Sequence, residues 1–150
     1  MSGVVSYDLL NGRIGSGTNG FTTEGGLFET FVNNTGTSVK GTIVVASTTV
    51  ANGVDIAPIS STMPIGVIYE NGVANGSPVK VVVYGKAQVL LENGLASTLG
   101  YWGGVSNAVA GRMFQDVTPP TAFHSQEIGH SLQAQTSGTN VLSLMQIHFN

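Results

Sequence analysis

The sequence predicts an all-β fold, a small β-barrel or sandwich with an extended Gly-rich N-terminal arm. Three observations carry that expectation. Apolar runs rich in Val, Ile and Thr recur at strand length along the chain. Asn-Gly punctuates them six times, at residues 11, 19, 52, 71, 75 and 93; between apolar runs this dipeptide is the strongest short hairpin signal, because it accepts the positive φ of tight turns. Helical signals are scarce, and only ENGLASTLG offers a turn or two of helix, within 93–99. Strands and turns without helix imply a barrel or sandwich.

The elements follow in order. Residues 1–28 contain seven glycines, at 3, 12, 15, 17, 20, 25 and 26, so no strand there runs long. Apolar side chains are threaded between them: Val4, Val5, Tyr7, Leu9, Leu10, Ile14, Phe21, Leu27 and Phe28. A plain linker has no use for such anchors. Residues 1–28 therefore read either as a flexible arm that orders on a partner surface or as a loosely packed first hairpin of the same domain. The β-rich body is placed at 29–150, with strands near 29–32, 39–47, 54–57, 65–70, 79–91, 101–106, 127–134 and 141–149. In the long run at 79–91, Val81, Val83 and Gly85 alternate with Lys80, Val82 and Tyr84. Both faces are largely apolar, as in a strand covered on two sides. Gly85 marks a bulge or bend within it.

Composition narrows the function. The chain has 150 residues, 41% of them hydrophobic, which suits one domain with a real core. Only 9% are charged, against about 25% in ordinary soluble domains. Such a surface is covered by Ser, Thr, Asn, Gln and Gly or is buried against partners, and a mean hydropathy of +0.23 favours the second. No apolar run approaches the ~18 residues of a membrane helix, so no membrane partner is expected. Cysteine is absent, which excludes disulfides and thiolate metal sites. MSGVVSYDLLNGRIG lacks the basic start and apolar core of a secretory signal, so synthesis in the cytoplasm is expected. Net charge is −3, and the five cations (Arg13, Lys40, Lys80, Lys86 and Arg112) are scattered. A nucleic-acid binder clusters its Lys and Arg to displace phosphate counterions, so nucleic acid is not an expected partner.

No catalytic constellation emerges. The histidines are His124, His130 and His148, the first two within HSQEIGH with Glu127 between them. On a strand, positions 124 and 130 lie about 20 Å apart at ~3.3 Å per residue. The zinc-protease patterns instead need a helix with two histidines one turn apart. No metal and no cofactor are expected on that ground. The eight carboxylates (Asp8, Glu24, Glu29, Asp55, Glu70, Glu92, Asp116 and Glu127) mostly fall at strand ends beside turns, where a solvated edge is their ordinary role. There is no GxSxG elbow, no P-loop and no GxGxxG between a strand and a helix. GRIGSGTNG lacks the lysine and following helix of a phosphate cradle. Asn75-Gly76-Ser77 is formally a glycosylation sequon and reads as a turn.

The segments FVNNTGTSVKGTIVVAS (31–47), PIGVIYENGVANGSPVKVVVYGKAQVLLENG (64–94), YWGGVSNAVAGRM (101–113) and EIGHSLQAQTSGTNVLSLMQIHFN (127–150) resemble, in this order, the tailed-phage head decoration or capsid cement proteins. The first 28 residues carry little of the resemblance. It implies a small β-rich virion protein, often trimeric, added to the outside of an expanded icosahedral capsid where it ties neighbouring major capsid proteins together. It brings no catalytic residues. On that reading Tyr7, Leu9, Leu10 and Ile14 of the arm dock on the capsid, the arm backbone adding a strand to a sheet edge. Tyr101 and Trp102 are the inter-subunit candidates, since Trp and Tyr are enriched in interface hot spots; their other role is core packing. The competing class is a carbohydrate- or host-surface-binding β module on the virion, for which one Trp and four Tyr make a thin stacking platform.

Overall fold

A computed structural model describes residues 19–116 and 125–149. The chain is all-β: β1 (Asn19–Phe21), β2 (Gly26–Asn33), β3 (Ile43–Ala46), β4 (Gly53–Ile56), β5 (Pro64–Ile68), β6 (Pro78–Leu90), β7 (Trp102–Val105), β8 (Met113–Asp116), β9 (Glu127–Ser131) and β10 (Leu142–Ile147). Strands β2-β4-β3-β5-β6 close into a five-stranded barrel through the β2–β6 pairing. Closure is what removes exposed edges from so short a set of strands. β2 and β4 run parallel, and the other strand pairs antiparallel.

The 13-residue β6 links the barrel to the remaining strands of one ten-stranded sheet. Its first part pairs with β2 and β5, and the part from Gly85 to Leu90 pairs with β10. From β10 the sheet continues through β9 and β7 to β8. Two cores result. Val44, Val54, Ile68, Val79 and Val81 form one cluster, built from barrel strands alone. Ile43, Val67 and Val82, from the same barrel strands, join Val89, Leu91, Val105, Met113, Ile128, Met145 and Ile147 in a second. Adjacent residues such as Val81 and Val82 thus enter different cores, because successive strand side chains point to opposite faces. This is the double-faced apolar strand the sequence implies at 79–91.

The irregularity expected at Gly85 is a bulge two residues earlier, at Val83. Register between β2 and β6 slips between Leu27 and Phe28, which face Tyr84 and Val82 and leave Val83 as the extra residue. Gly85 adopts φ of +89°, and a Cβ there would stand 2.7 Å from the Gly25 carbonyl oxygen. Only glycine fits both conditions.

Four expectations change. ENGLASTLG forms no helix: Leu95 N–H bonds the Glu92 carbonyl in a turn, and Ser97 pairs with Gln135. Asn19-Gly20 lies inside β1, whereas the other described Asn-Gly pairs lie in or beside turns. The boundary drawn at residue 28 falls inside β2: residues 19–28 supply β1 and the start of β2, whose Gly26, Leu27 and Phe28 pair with β6. For these ten residues the hairpin reading holds, because their backbone groups find partners in the sheet. Finally, β8 is a strand that the sequence reading left out; four residues, MFQD, give too short a pattern to register.

Loops are fastened by side chains. Arg112 donates from Nη1 to the Leu91 carbonyl (2.9 Å) and Asn93 Oδ1 (3.0 Å), and from Nη2 to Asn140 Oδ1 (2.6 Å). The fixed guanidinium fork joins three separate chain segments with charge-assisted bonds. Buried Asn33 donates from Nδ2 to the Gly36 and Val73 carbonyls at 2.7 and 2.9 Å. It ties the end of β2 to the turn before β6, and the Asn75-Gly76-Ser77 sequon is part of that turn.

Candidate functional site

Two features of the surface have chemical content. The first is built on β9 and β10. These strands pair Met145 with Ser131, Gln146 with His130 and Ile147 with Gly129. Met145 and Ile147 point into the core, so Gln146 and His148 take the opposite face, and His130 shares it through its register partner. Strict alternation would send Glu127, three residues before His130, to the other side. A second bulge prevents this. Against β7, Gly103 faces Gly129 while Gly104 faces Glu127, leaving Ile128 as the extra residue. Ile128 drops fully into the core, and the Glu127 carboxylate emerges beside the two histidines.

Glu127 is 5% exposed, His130 is exposed and His148 is half-buried. Glu127 Oε1 lies 3.3 Å from His148 Nε2. The two imidazole rings are 5.8 Å apart between centroids, tilted 35°. One donor atom from each of the three residues falls within 4.8 Å of the other two. Two imidazole nitrogens and a carboxylate oxygen so placed are a donor set for a divalent metal. The case against a metal rested on the distance from His124 to His130. His124 lies outside the described residues, and the partner that completes this set is His148, from the far end of the sequence. The pairing of β9 with β10 brings it in.

The second feature is a groove of about 610 Å³ along β3, β4 and the loop into β5, lined among others by Val45, Ile56, Pro58, Met63 and Ile65. Its lining is apolar, with Asp55 at one side. Met63 is 71% exposed and Ile56 40% exposed, with Ile59 in the adjoining loop 53% exposed. Side chains of this type left in water at one place mark a contact surface. Nothing in the sequence singles out this groove, because its residues come from three segments that only the barrel assembles.

The residues chosen from sequence fare unequally. Tyr7, Leu9, Leu10 and Ile14 lie outside the described residues. Tyr101 is half-buried. Trp102 is 5% exposed and packs edge-on against Phe114, with ring centroids 5.3 Å apart and planes at 78°. A ring already covered by its own chain has little area left for a neighbouring subunit, so packing within the chain accounts for it. Several carboxylates are engaged by neighbours and are not the solvated edge groups expected of them. Glu24 pairs with Lys40 at 3.4 Å and Glu70 with Lys80 at 3.9 Å. Burial tends to raise the Glu24 carboxyl, but a backbone hydrogen bond, the Lys40 charge and the Thr23 hydroxyl outweigh it and hold the group below its ordinary value.

Neither a scan against protein-family models nor a search of characterised proteins finds a match for this chain.

Proposed function

We propose that this chain is a structural virion protein that binds the outside of an icosahedral phage capsid, as a homotrimer, and reinforces contacts between major capsid proteins. It is made in the host cytoplasm and acts without enzymatic activity. The observation that carries the reading is the solvent-open apolar groove on a barrel of very low charge: Ile56 and Met63 stand in water on a rigid, closed scaffold. A scaffold of this kind suits attachment more than chemistry. Many copies on a repeating shell need only modest affinity per contact, because multivalency multiplies it. The order of the resembling segments across 31–150 supports the same reading. The apolar anchors Tyr7, Leu9, Leu10 and Ile14 are a second capsid contact on this proposal.

Co-sedimentation with expanded empty phage heads tests it. The full chain should pellet with the heads, and the Ile56→Ser/Met63→Ser double variant should bind about 15- to 300-fold more weakly. That range follows from about 1.5–3 kcal/mol for burying a whole apolar side chain, scaled by the 40% and 71% still exposed. Both positions face solvent, so the fold should persist. Raising the salt concentration should change retention little, because few exposed charges are available to screen. No binding to heads, with selective binding on a glycan array, would replace the proposal with the carbohydrate-binding alternative.

A further inference from the structure

We infer that Glu127, His130 and His148 form a binding site for a divalent transition-metal ion, with Zn²⁺ the best match. The site is independent of capsid attachment and stands on its own geometry. Zinc takes imidazole nitrogen at about 2.0–2.1 Å and carboxylate oxygen at about 2.0–2.2 Å in a tetrahedral arrangement. Two ligand atoms on such an ion are separated by about 3.3–3.5 Å, from those bond lengths and the tetrahedral angle. The Glu127 Oε1 to His148 Nε2 distance of 3.3 Å already has that length. The remaining separations do not exceed 4.8 Å. His130 is the exposed member, so its ring is free to close the difference by a small rotation.

Three further properties favour an ion here. Glu127 is almost fully buried, so part of its dehydration is complete before a metal arrives. His130 sits on β9, locked in register by the Gln146–His130 and Ile147–Gly129 pairs, and His148, directly after β10, is held by its N–H bond to the Ile128 carbonyl at 2.9 Å. A rigid frame of this kind holds ligands near their productive geometry. The donor set also discriminates: two neutral imidazoles suit Zn²⁺, Co²⁺ or Ni²⁺, while Mg²⁺ and Ca²⁺ prefer oxygen ligands. With three protein ligands the fourth position is open, and it lies on the solvent side that His130 occupies. Water completes the site in the free protein. The ion then clips β9 to β10 and stiffens the outer sheet.

The same 3.3 Å contact also serves a Glu127–His148 ion pair when His148 is protonated. An ion pair gains nothing from zinc, so metal titration separates the two. The experiment uses the full chain without a histidine tag, stripped with chelator and dialysed. Zn²⁺ at about a hundredfold excess over its dissociation constant should raise Tm by about 5–10 °C, and Co²⁺ should give the visible ligand-field bands of a tetrahedral site. Mg²⁺ and Ca²⁺ at the same concentration should do neither. His130→Gln changes an exposed side chain and should fold normally yet lose both signals, as should His148→Gln. Absence of a Zn²⁺ shift and of Co²⁺ bands in the wild-type chain would overturn the inference. So would signals that survive undiminished in both histidine variants, or a Mg²⁺ effect equal to that of Zn²⁺.

Discussion

Replacing Gly129 by alanine isolates the strand contact on which the outer sheet depends. The residue has φ of +148°, a region that side-chain-bearing residues rarely enter, and a Cβ placed there would stand 1.9 Å from the Gln146 carbonyl oxygen. Real Cβ contacts essentially never fall below 3.0 Å, so β9 must withdraw from β10 by about 1 Å or more. That withdrawal strains the Gln146–His130 and Ile147–Gly129 pairs and the bond from His148 N–H to the Ile128 carbonyl. Backbone strain costs about 1–3 kcal/mol, and two lost ladder bonds add about 1 kcal/mol each. The sum, about 3–5 kcal/mol, is a large share of a total stability of about 5–15 kcal/mol. At roughly 2–4 °C per kcal/mol, Tm should fall by about 6–20 °C. Gly76→Ala supplies the control. Gly76 has φ of +87° and no atom within 4 Å of the added Cβ, so its cost is the backbone contribution alone, about 1 kcal/mol. Thermal and urea melts followed by circular dichroism would measure both variants. Equal losses for the two would refute the steric argument.

The remaining predictions concern the loop clamp and acid sensitivity. Arg112→Met should cost about 1–3 kcal/mol in urea melts, because three acceptors from two other segments lose one fork; Arg112→Lys should recover only part of it, since a single ammonium cannot reproduce the planar geometry. The depressed Glu24 carboxyl contributes stability at neutral pH that disappears as pH falls through its folded-state value, because protonation removes the Lys40 pairing. Glu24→Gln should therefore flatten the acid limb of the stability–pH curve slightly while leaving the neutral-to-basic limb unchanged in slope.

The strand content was legible because it is a local property. Val-rich runs separated by Asn-Gly need no knowledge of partners, and the two-faced character of 79–91 showed in the apolar residues on both parities. Barrel closure is a different kind of fact. It depends on β2 reaching β6 some fifty residues later and on the parallel contact of β2 with β4, and no periodicity encodes which strand a given run will meet. Trp102 shows the same limit at one residue. Its identity announces a large buried contact, but only the register, with His130 on one side and Asp116 on the other, tells which face it occupies and that Phe114 lies against it.

The histidine–glutamate cluster was set aside on the distance from His124 to His130 along a strand, and strand parity would have hidden the face shared by Glu127 and His130 as well. Glu-x-x-His has odd spacing, and odd spacing on an unbroken strand places the two side chains on opposite faces. One inserted residue reverses the conclusion. The bulge at Ile128 turns an odd interval into a shared face and sends a fully buried isoleucine into the core at the same position, so the apolar burial of Ile128 helps hold the carboxylate where it is. The third member lies eighteen residues beyond His130, at His148, where the sequence gives no sign that β10 returns alongside β9. Bulges are over-represented where a sheet must re-aim a side chain, and here the re-aimed side chain is the only buried carboxylate among the described residues. Burying a carboxylate has a cost that a solvated edge position avoids. His148, 3.3 Å from it, is one group that offsets that cost, by proton or by metal, and the metal titration distinguishes the two.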